Sequence, residues 1–333
     1  MNKKNLSLFI KKILIFLIPF LIIIAGYLIS DPFKVTRIYK EYKNNPVLLN
    51  QGYICWQSYL NHKDNLKYDS YILGNSCTVA FPTNIWKPYI KDAVPIRLFG
   101  DGESLYAIYK KVKRLDQSGV PIKNVLLLLD NSTLKNVDPN NSHTRILHPD
   151  ISPIGVFEFQ KEFIIAFFNL KFLLPYADYC LFHTYRKYMK GILTNKDLYR
   201  NQITNDFRNP REDEIEIKKE QYWLDHKKEF PKRDRVIAPY SQSIFNKQKN
   251  ILTEISEIFK KNQTNYHIVI NPEWSQKELN NKDLSELKKI FELNRIHNFS
   301  GKNIYTENQK NFYEMGHYRP LLGKIILQRI YKQ

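Results

Sequence analysis

The strongest constraint in this sequence lies near its start. Lys3, Lys4, Lys11 and Lys12 precede an uncharged run from Ile13 to Ser30. Its 18 residues are near the lower limit for a helix that crosses a bilayer. Within lipid every backbone polar group needs an internal partner, so such a segment has to be helical, and Pro19 is tolerated there. A cleavable signal peptide would have a shorter apolar region with small residues at its end. Ala25-Gly26-Tyr27 makes a poor cleavage site, so the run reads as an uncleaved signal anchor. The lysines stay on the cytoplasmic side, and residues from about 31 onward lie outside.

Beyond the anchor the chain is mostly globular in character. The formal net charge is +18, from 51 Lys and Arg against 33 Asp and Glu. A basic balance suits anionic partners such as lipid head groups or acidic polymers. A solvated, lysine-rich surface explains it equally well. Zinc-finger spacing, an RNP-like aromatic run and a dense basic block are all missing, so no nucleic-acid partner is expected. Cys55, Cys77 and Cys180 are too few for a disulfide framework. They read as small buried apolar side chains, although Cys55 and Cys180 could pair in an oxidising compartment. The eight histidines form no ligand-like grouping. We expect no metal and no cofactor.

Residues 31–67 are rich in lysine, asparagine and tyrosine with weak periodicity, and read as a juxtamembrane stem. From 68 onward the pattern is regular. Strands are expected at 69–73, 94–99 and 125–129, with a helix over 78–89 limited by Pro82 and Pro88. A second helix over 103–115 places Leu105, Ile108, Val112 and Leu115 at helical spacing. Val125 to Leu129 is apolar without alternation, as in a strand buried on both faces of a parallel sheet. Strand, turn, helix, strand is βαβ grammar.

An insert at about 133–235 interrupts that grammar. Phe157, Phe159, Phe163, Phe167, Phe168 and Phe172 make its first part strongly aromatic. The run 163–174 is too short for a second span. It reads as buried helices of a cap or as a surface that touches lipid or an acyl chain. Residues 196–234 are charged and read as an exposed helix or a mobile segment. Further on, strands are expected at 235–238, 267–270 and 296–299, with helices at 244–261, 283–293 and 320–330.

The chemistry collects at two turns. Ser76 follows the first strand in Gly74-Asn75-Ser76, at the edge where open α/β sheets bind ligands. Far downstream stands Glu314-Met315-Gly316-His317. A serine, a histidine base and a carboxylate behind the histidine are the parts of a nucleophilic triad. Each part alone has an ordinary reading, as a strand-ending turn, a surface histidine or a solvated acid; the ordered combination carries the information. Arg319, two residues past His317, either binds an anionic group or pairs with an acid.

In this order the residues resemble the blocks of the SGNH, or GDSL-like, hydrolase superfamily, and most closely its membrane-anchored bacterial cell-envelope members. The resemblance covers roughly residues 68–331. It implies a flavodoxin-like three-layer α/β/α sandwich with a parallel sheet, carried behind the transmembrane helix of residues 1–30 and the stem, and interrupted by the helical insert. It also implies a serine esterase or O-acyltransferase that forms an acyl-serine. Ser76 matches the nucleophile, with Gly-Asn-Ser in place of Gly-Asp-Ser. His317 matches the base, and Glu314 stands where Asp is usual. The oxyanion hole falls to the backbone N–H of Ser76, to Gly102 and to Asn131. Here Leu128-Leu129-Asp130-Asn131 replaces the usual Gly-x-Asn-Asp. The implied setting is the bacterial inner membrane with a periplasmic catalytic domain, and the implied substrate is an envelope glycan or an acyl-carrying molecule. The alternative is a degenerate site on a scaffold protein for polysaccharide modification or export. The separation of Ser76 and His317 discriminates between the two.

Overall fold

The computed structural model describes residues 3–43, 45–194 and 200–332. Helix α1 (Lys3–Ser30) contains Pro19 without a break. Its stretch Asn5–Ser30 is long and apolar enough to cross a membrane and is scarcely buried within the protein. At about 1.5 Å per residue it rises ~39 Å, against a hydrocarbon core of ~30 Å.

The chain does not leave α1 as a free stalk. Asp31 accepts the backbone N–H groups of Val35 and Thr36 at 3.0 Å and the Tyr39 hydroxyl at 2.9 Å. That folds the chain back, and Phe33, Val35, Tyr42 and Val47 become buried. Helix α2 (Gln51–Leu66) begins at the Asn50 cap. It occupies the second half of the stretch expected to be stem, and its Trp56 and Tyr59 join the main core. Every residue from Tyr53 to Tyr59 is buried. A helix enclosed on all sides shows no one-sided apolar stripe, so periodicity could not reveal it.

Strand β1 (Ser70–Gly74) is buried throughout. A 3-10 turn over Ser76–Ala80 and the short α3 (Thr83–Trp86) replace the single helix expected at 78–89. Then come β2 (Pro95–Phe99), α4 (Leu105–Gln117) capped by Ser104, β3 (Asn124–Leu129) and α5 (Asn131–Lys135). The insert holds α6 (Val156–Phe168), α7 (Leu170–Phe182), α8 (Pro210–Lys218) and α9 (Gln221–Asp225). Of the charged segment expected at 196–234, residues 196–199 lie outside the described residues. The sheet resumes with α10 (Asn246–Lys261), β4 (Asn265–Ile270), α11 (Asn281–Ile290) and β5 (Ile296–Asn298). No strand forms at 235–238. Val236 is 88% exposed there, between a charged Arg235 and the Ala238-Pro239 step that cannot continue a ladder. The chain closes with α12 (Ile304–Glu307), the antiparallel ribbon β6 (Phe312–Glu314) and β7 (His317–Tyr318), and α13 (Pro320–Tyr331).

The five strands pair in parallel in the order β2-β1-β3-β4-β5. Alternate side chains serve two cores. Tyr71, Leu73, Val125, Leu127 and Ile268 pack with α2, α4, α10 and α11. Ile72, Leu126, Leu128 and Val269 pack with α3, α9 and α13. The sheet is therefore covered on both faces, in three layers. A third core joins the end of α1, residues 33–49 and α6–α7. The insert is thus not one cap: α6–α7 belongs to the juxtamembrane core, whereas α8–α9 joins the sheet. Cys55, Cys77 and Cys180 are all free, and Cys180 is exposed.

Candidate active site

The crossover direction reverses between β1 and β3, and crevices in open α/β sheets form at such a point, beyond the strand carboxyl ends. Gly74 ends β1 with φ +144°, and a Cβ there would sit 2.9 Å from the Leu128 Cβ and carbonyl oxygen. Only glycine lets β1 lie this close to β3 while turning out of the sheet. Asn75 then caps the 3-10 turn, its Oδ1 accepting the Cys77 N–H at 2.9 Å. This sets Ser76 at the first position of the turn, partly buried.

The late segment reaches the same place from the other side. In the β6–β7 ribbon Glu314 and His317 face each other across a bulge. Ser76 Oγ lies 2.8 Å from His317 Nε2. His317 Nδ1 hydrogen-bonds Glu314 Oε1. Glu314 Oε2 accepts the Gly316 N–H at 2.8 Å. Burial works to raise the Glu314 pKa, but the His317 and Gly316 hydrogen bonds outweigh it and hold the carboxyl below its ordinary value. An ionised Glu314 takes the Nδ1 proton as a donor. Nε2 is then free to accept the Ser76 hydroxyl, which is the tautomer a general base requires. The His317 side chain is 43% exposed, so the pair opens to solvent.

A buried network ties the two segments together. Asn75 Nδ2 donates to Asp130 Oδ2 at 2.5 Å, and Asn271 Nδ2 donates to the same oxygen at 3.3 Å. Asn271 Oδ1 in turn accepts the Tyr318 hydroxyl at 3.0 Å. Asp130 also caps α5 through the Thr133 N–H. The residue before Ser76 and the residue after His317 are thereby linked through the ends of β3 and β4.

Helix α8 braces the ribbon from outside. Arg319 grips Glu212 with two hydrogen bonds of 2.9 Å, from Nε and Nη2. The open choice for Arg319 is thus settled in favour of an acid partner. Arg211 donates to the Tyr313 carbonyl at 3.2 Å and pairs with Glu229 at 2.7 Å. Burial works against both members of the Arg319–Glu212 pair, yet their mutual contact leaves Glu212 below its ordinary pKa.

The two oxyanion candidates are placed differently. Gly102 has φ +57° and lies under the Arg145 guanidinium. Its turn neighbour Asp101 is within electrostatic reach of His317, Arg145 and Arg200. Beside this turn opens a cleft of about 190 Å³ lined by Asn50, Gly102, Ser104, Lys135 and Arg145, but not by Ser76 or His317. Asn131 begins α5, and its Oδ1 accepts the Ser243 hydroxyl at 2.8 Å. Among the described residues no hydrogen bond joins Gly102 or Asn131 to Ser76 or His317. The Ser76 N–H, first in its turn, has no intrahelical acceptor.

Sequence reasoning missed Asn75, Asp130, Asn271, Tyr318 and Glu212 as members of the site. Asn75 and Asp130 were visible as the residues where the first and third blocks depart from the family pattern. Glu212 lies 107 positions from Arg319, and nothing in the linear order connects them. No protein-family model matches the chain, and no curated protein matches it.

Proposed function

We propose that the protein is a membrane-anchored SGNH-like serine esterase or O-acyltransferase acting on cell-envelope glycan. The Ser76–His317 hydrogen bond, backed by Glu314, is the observation that carries this reading. The strand order, which is also the flavodoxin-like one, supports it. In the reaction His317 takes the Ser76 proton as Oγ attacks the ester carbonyl. The oxyanion is received by the Ser76 N–H and the Gly102 turn. Collapse gives an acyl-serine and an alcohol that leaves with the proton from His317. Water or a glycan hydroxyl then takes the acyl group by the reverse sequence. The basic surface suits an acidic polymer or lipid head groups. A signal anchor would hold the domain on the periplasmic side of the bacterial inner membrane.

One observation favours the second reading, a scaffold on a degenerate site. Among the described residues Asn131 makes no hydrogen bond to Ser76 or His317, its Oδ1 taking the Ser243 hydroxyl, and Asp130 beside it offers only acceptors. Loss of one oxyanion donor costs on the order of 100- to 1,000-fold in rate. The test is covalent trapping. Full-length protein in detergent is treated with an alkyl fluorophosphonate, and its peptides are mapped by mass spectrometry. The enzyme reading expects an adduct on Ser76 that disappears in Ser76→Ala. Folded protein that stays unlabelled removes the enzyme reading and leaves the scaffold.

A further inference from the structure

We infer that α6 and α7 form a second membrane contact, seated in lipid beside the outer end of α1. The surface they present is apolar where a water-facing helix pair would be polar. Phe157, Ile165, Leu170, Leu174, Leu181 and Phe182 are all exposed, Phe157 by 79% and Leu181 by 75%. The opposite faces, with Phe159, Phe163, Phe167 and Phe172, are already buried in the juxtamembrane core. Helices that are apolar all round belong inside a core or inside lipid. Here protein covers only one side.

The contact with α1 fixes what covers the other. Ile23 and Tyr27 of α1 pack into the same core as α6 and α7. The Tyr27 and Phe167 rings lie 5.1 Å apart, and Phe33 stacks near Phe172 at 4.6 Å. Tyr27 is three residues from the end of α1, so Phe167 lies within about one helical turn of the depth at which α1 leaves the bilayer. The exposed apolar side chains are continuous with a helix that is itself long enough to span.

The flanks exclude a second crossing: before the pair His148 bonds Gln57 at 3.0 Å, and after it the Ile192 carbonyl accepts the Leu48 N–H at 3.0 Å, so both ends return to the same side. The two helices have 13 residues each and meet at 70° across Asn169. Each rises only ~20 Å, short of a ~30 Å hydrocarbon core. A bent, short, apolar pair fits an interfacial wedge buried roughly 5–10 Å deep. Of the charges on these helices, Lys161 meets Glu158 and Asp178 takes both Arg186 and Tyr188, while Glu162 and Lys171 line a cleft beside Phe33 and Ile192. The partner is the phospholipid bilayer, and the inference does not rest on the catalytic reading.

Tryptophan quenching tests this directly. Full-length protein is reconstituted into phosphatidylcholine–phosphatidylglycerol vesicles, with or without bromine on the acyl chains. Phe157→Trp and Leu181→Trp are compared with Val236→Trp, at an exposed site remote from α6–α7. Quenching by bromolipid of the emission added at 157 and 181 should exceed that at 236 by ~2-fold or more, as expected for interfacial depth. Equal quenching at all three positions would overturn the inference. So would disulfide-linked dimers through Cys180 in vesicles, since a second copy of the chain would then cover this face.

Discussion

Tyr318 and Asn75 flank His317 and Ser76, and both end on one carboxylate oxygen, Asp130 Oδ2, Tyr318 doing so through Asn271. The 241-residue gap between Ser76 and His317 is thus bridged twice, once by the reacting pair and once by a buried network that can be disturbed without touching it. This separates changes in chemistry from changes in positioning.

Asp130→Ala should lower stability by ~2–3 kcal/mol. It removes the α5 cap, typically ~1 kcal/mol, and strands two buried amides. Asp130→Asn keeps one oxygen, enough for the Thr133 cap or for the Asn75 and Asn271 amides but not for both, and should cost roughly 1–2 kcal/mol. Thermal unfolding of the two variants, with fluorophosphonate labelling rates alongside, measures the difference. If alanine and asparagine behave alike, the network does not hold Ser76.

Glu314→Gln should keep the ribbon folded but reduce the Ser76 labelling rate by ~10²- to 10⁴-fold, because an amide no longer fixes the donor tautomer at Nδ1. Glu314→Asp, with its shorter reach, should fall between the two. An unchanged rate in the glutamine variant would remove Glu314 from the site.

Glu212→Ala leaves the Arg319 guanidinium partly buried without its carboxylate. Breaking such a pair costs on the order of 3 kcal/mol. The double substitution Glu212→Ala/Arg319→Ala should recover part of that loss. A double-mutant cycle on the unfolding midpoint reads the coupling, and additive effects would mean that α8 does not brace the ribbon through this pair.

His148 gives the protein an acid sensitivity of its own. It is buried, with Nε2 at 3.0 Å from Gln57 Oε1 and Nδ1 accepting the Asp150 N–H at 3.1 Å. Burial pushes its pKa down to about 4, against a weaker opposing pull from Asp150. The unfolded chain binds the proton first, so stability is intact above the ordinary histidine value and falls as pH drops from ~6.5 towards ~4. The full loss is ~3 kcal/mol at about 1.4 kcal/mol per unit. His148→Gln should flatten the fall in unfolding midpoint across that window. An equally steep fall in the variant would assign the sensitivity elsewhere.

The sheet was legible because β1, β2 and β3 are buried on both faces and read as mostly apolar runs, with Arg97 the one charge, inside β2. Ser76, Glu314 and His317 were legible because Ser76 opens a turn and the other two flank the Met315-Gly316 turn, each with a chemical signature. α2 was not, since its buried residues surround the helix and leave no period. The β6–β7 ribbon was also hidden: three residues pair with two across a bulge, too few for alternation to register. The expected strand at 235–238 shows the opposite error, in which a short apolar run held between Arg235 and Pro239 stays outside the sheet with Val236 exposed.

Gly52, at the start of α2, lies close enough to the Gly100 turn that a Cβ on it would stand 3.8 Å from the Gly100 Cα. Between α1 and that contact, Phe33, Val35, Tyr42, Val47 and Leu49 fold into the juxtamembrane core. A chain held this way acts as a strut. With α1 in a bilayer, Ser76 would sit at one set height above the lipid, and under the proposed function its substrate would be selected by altitude as well as by chemistry.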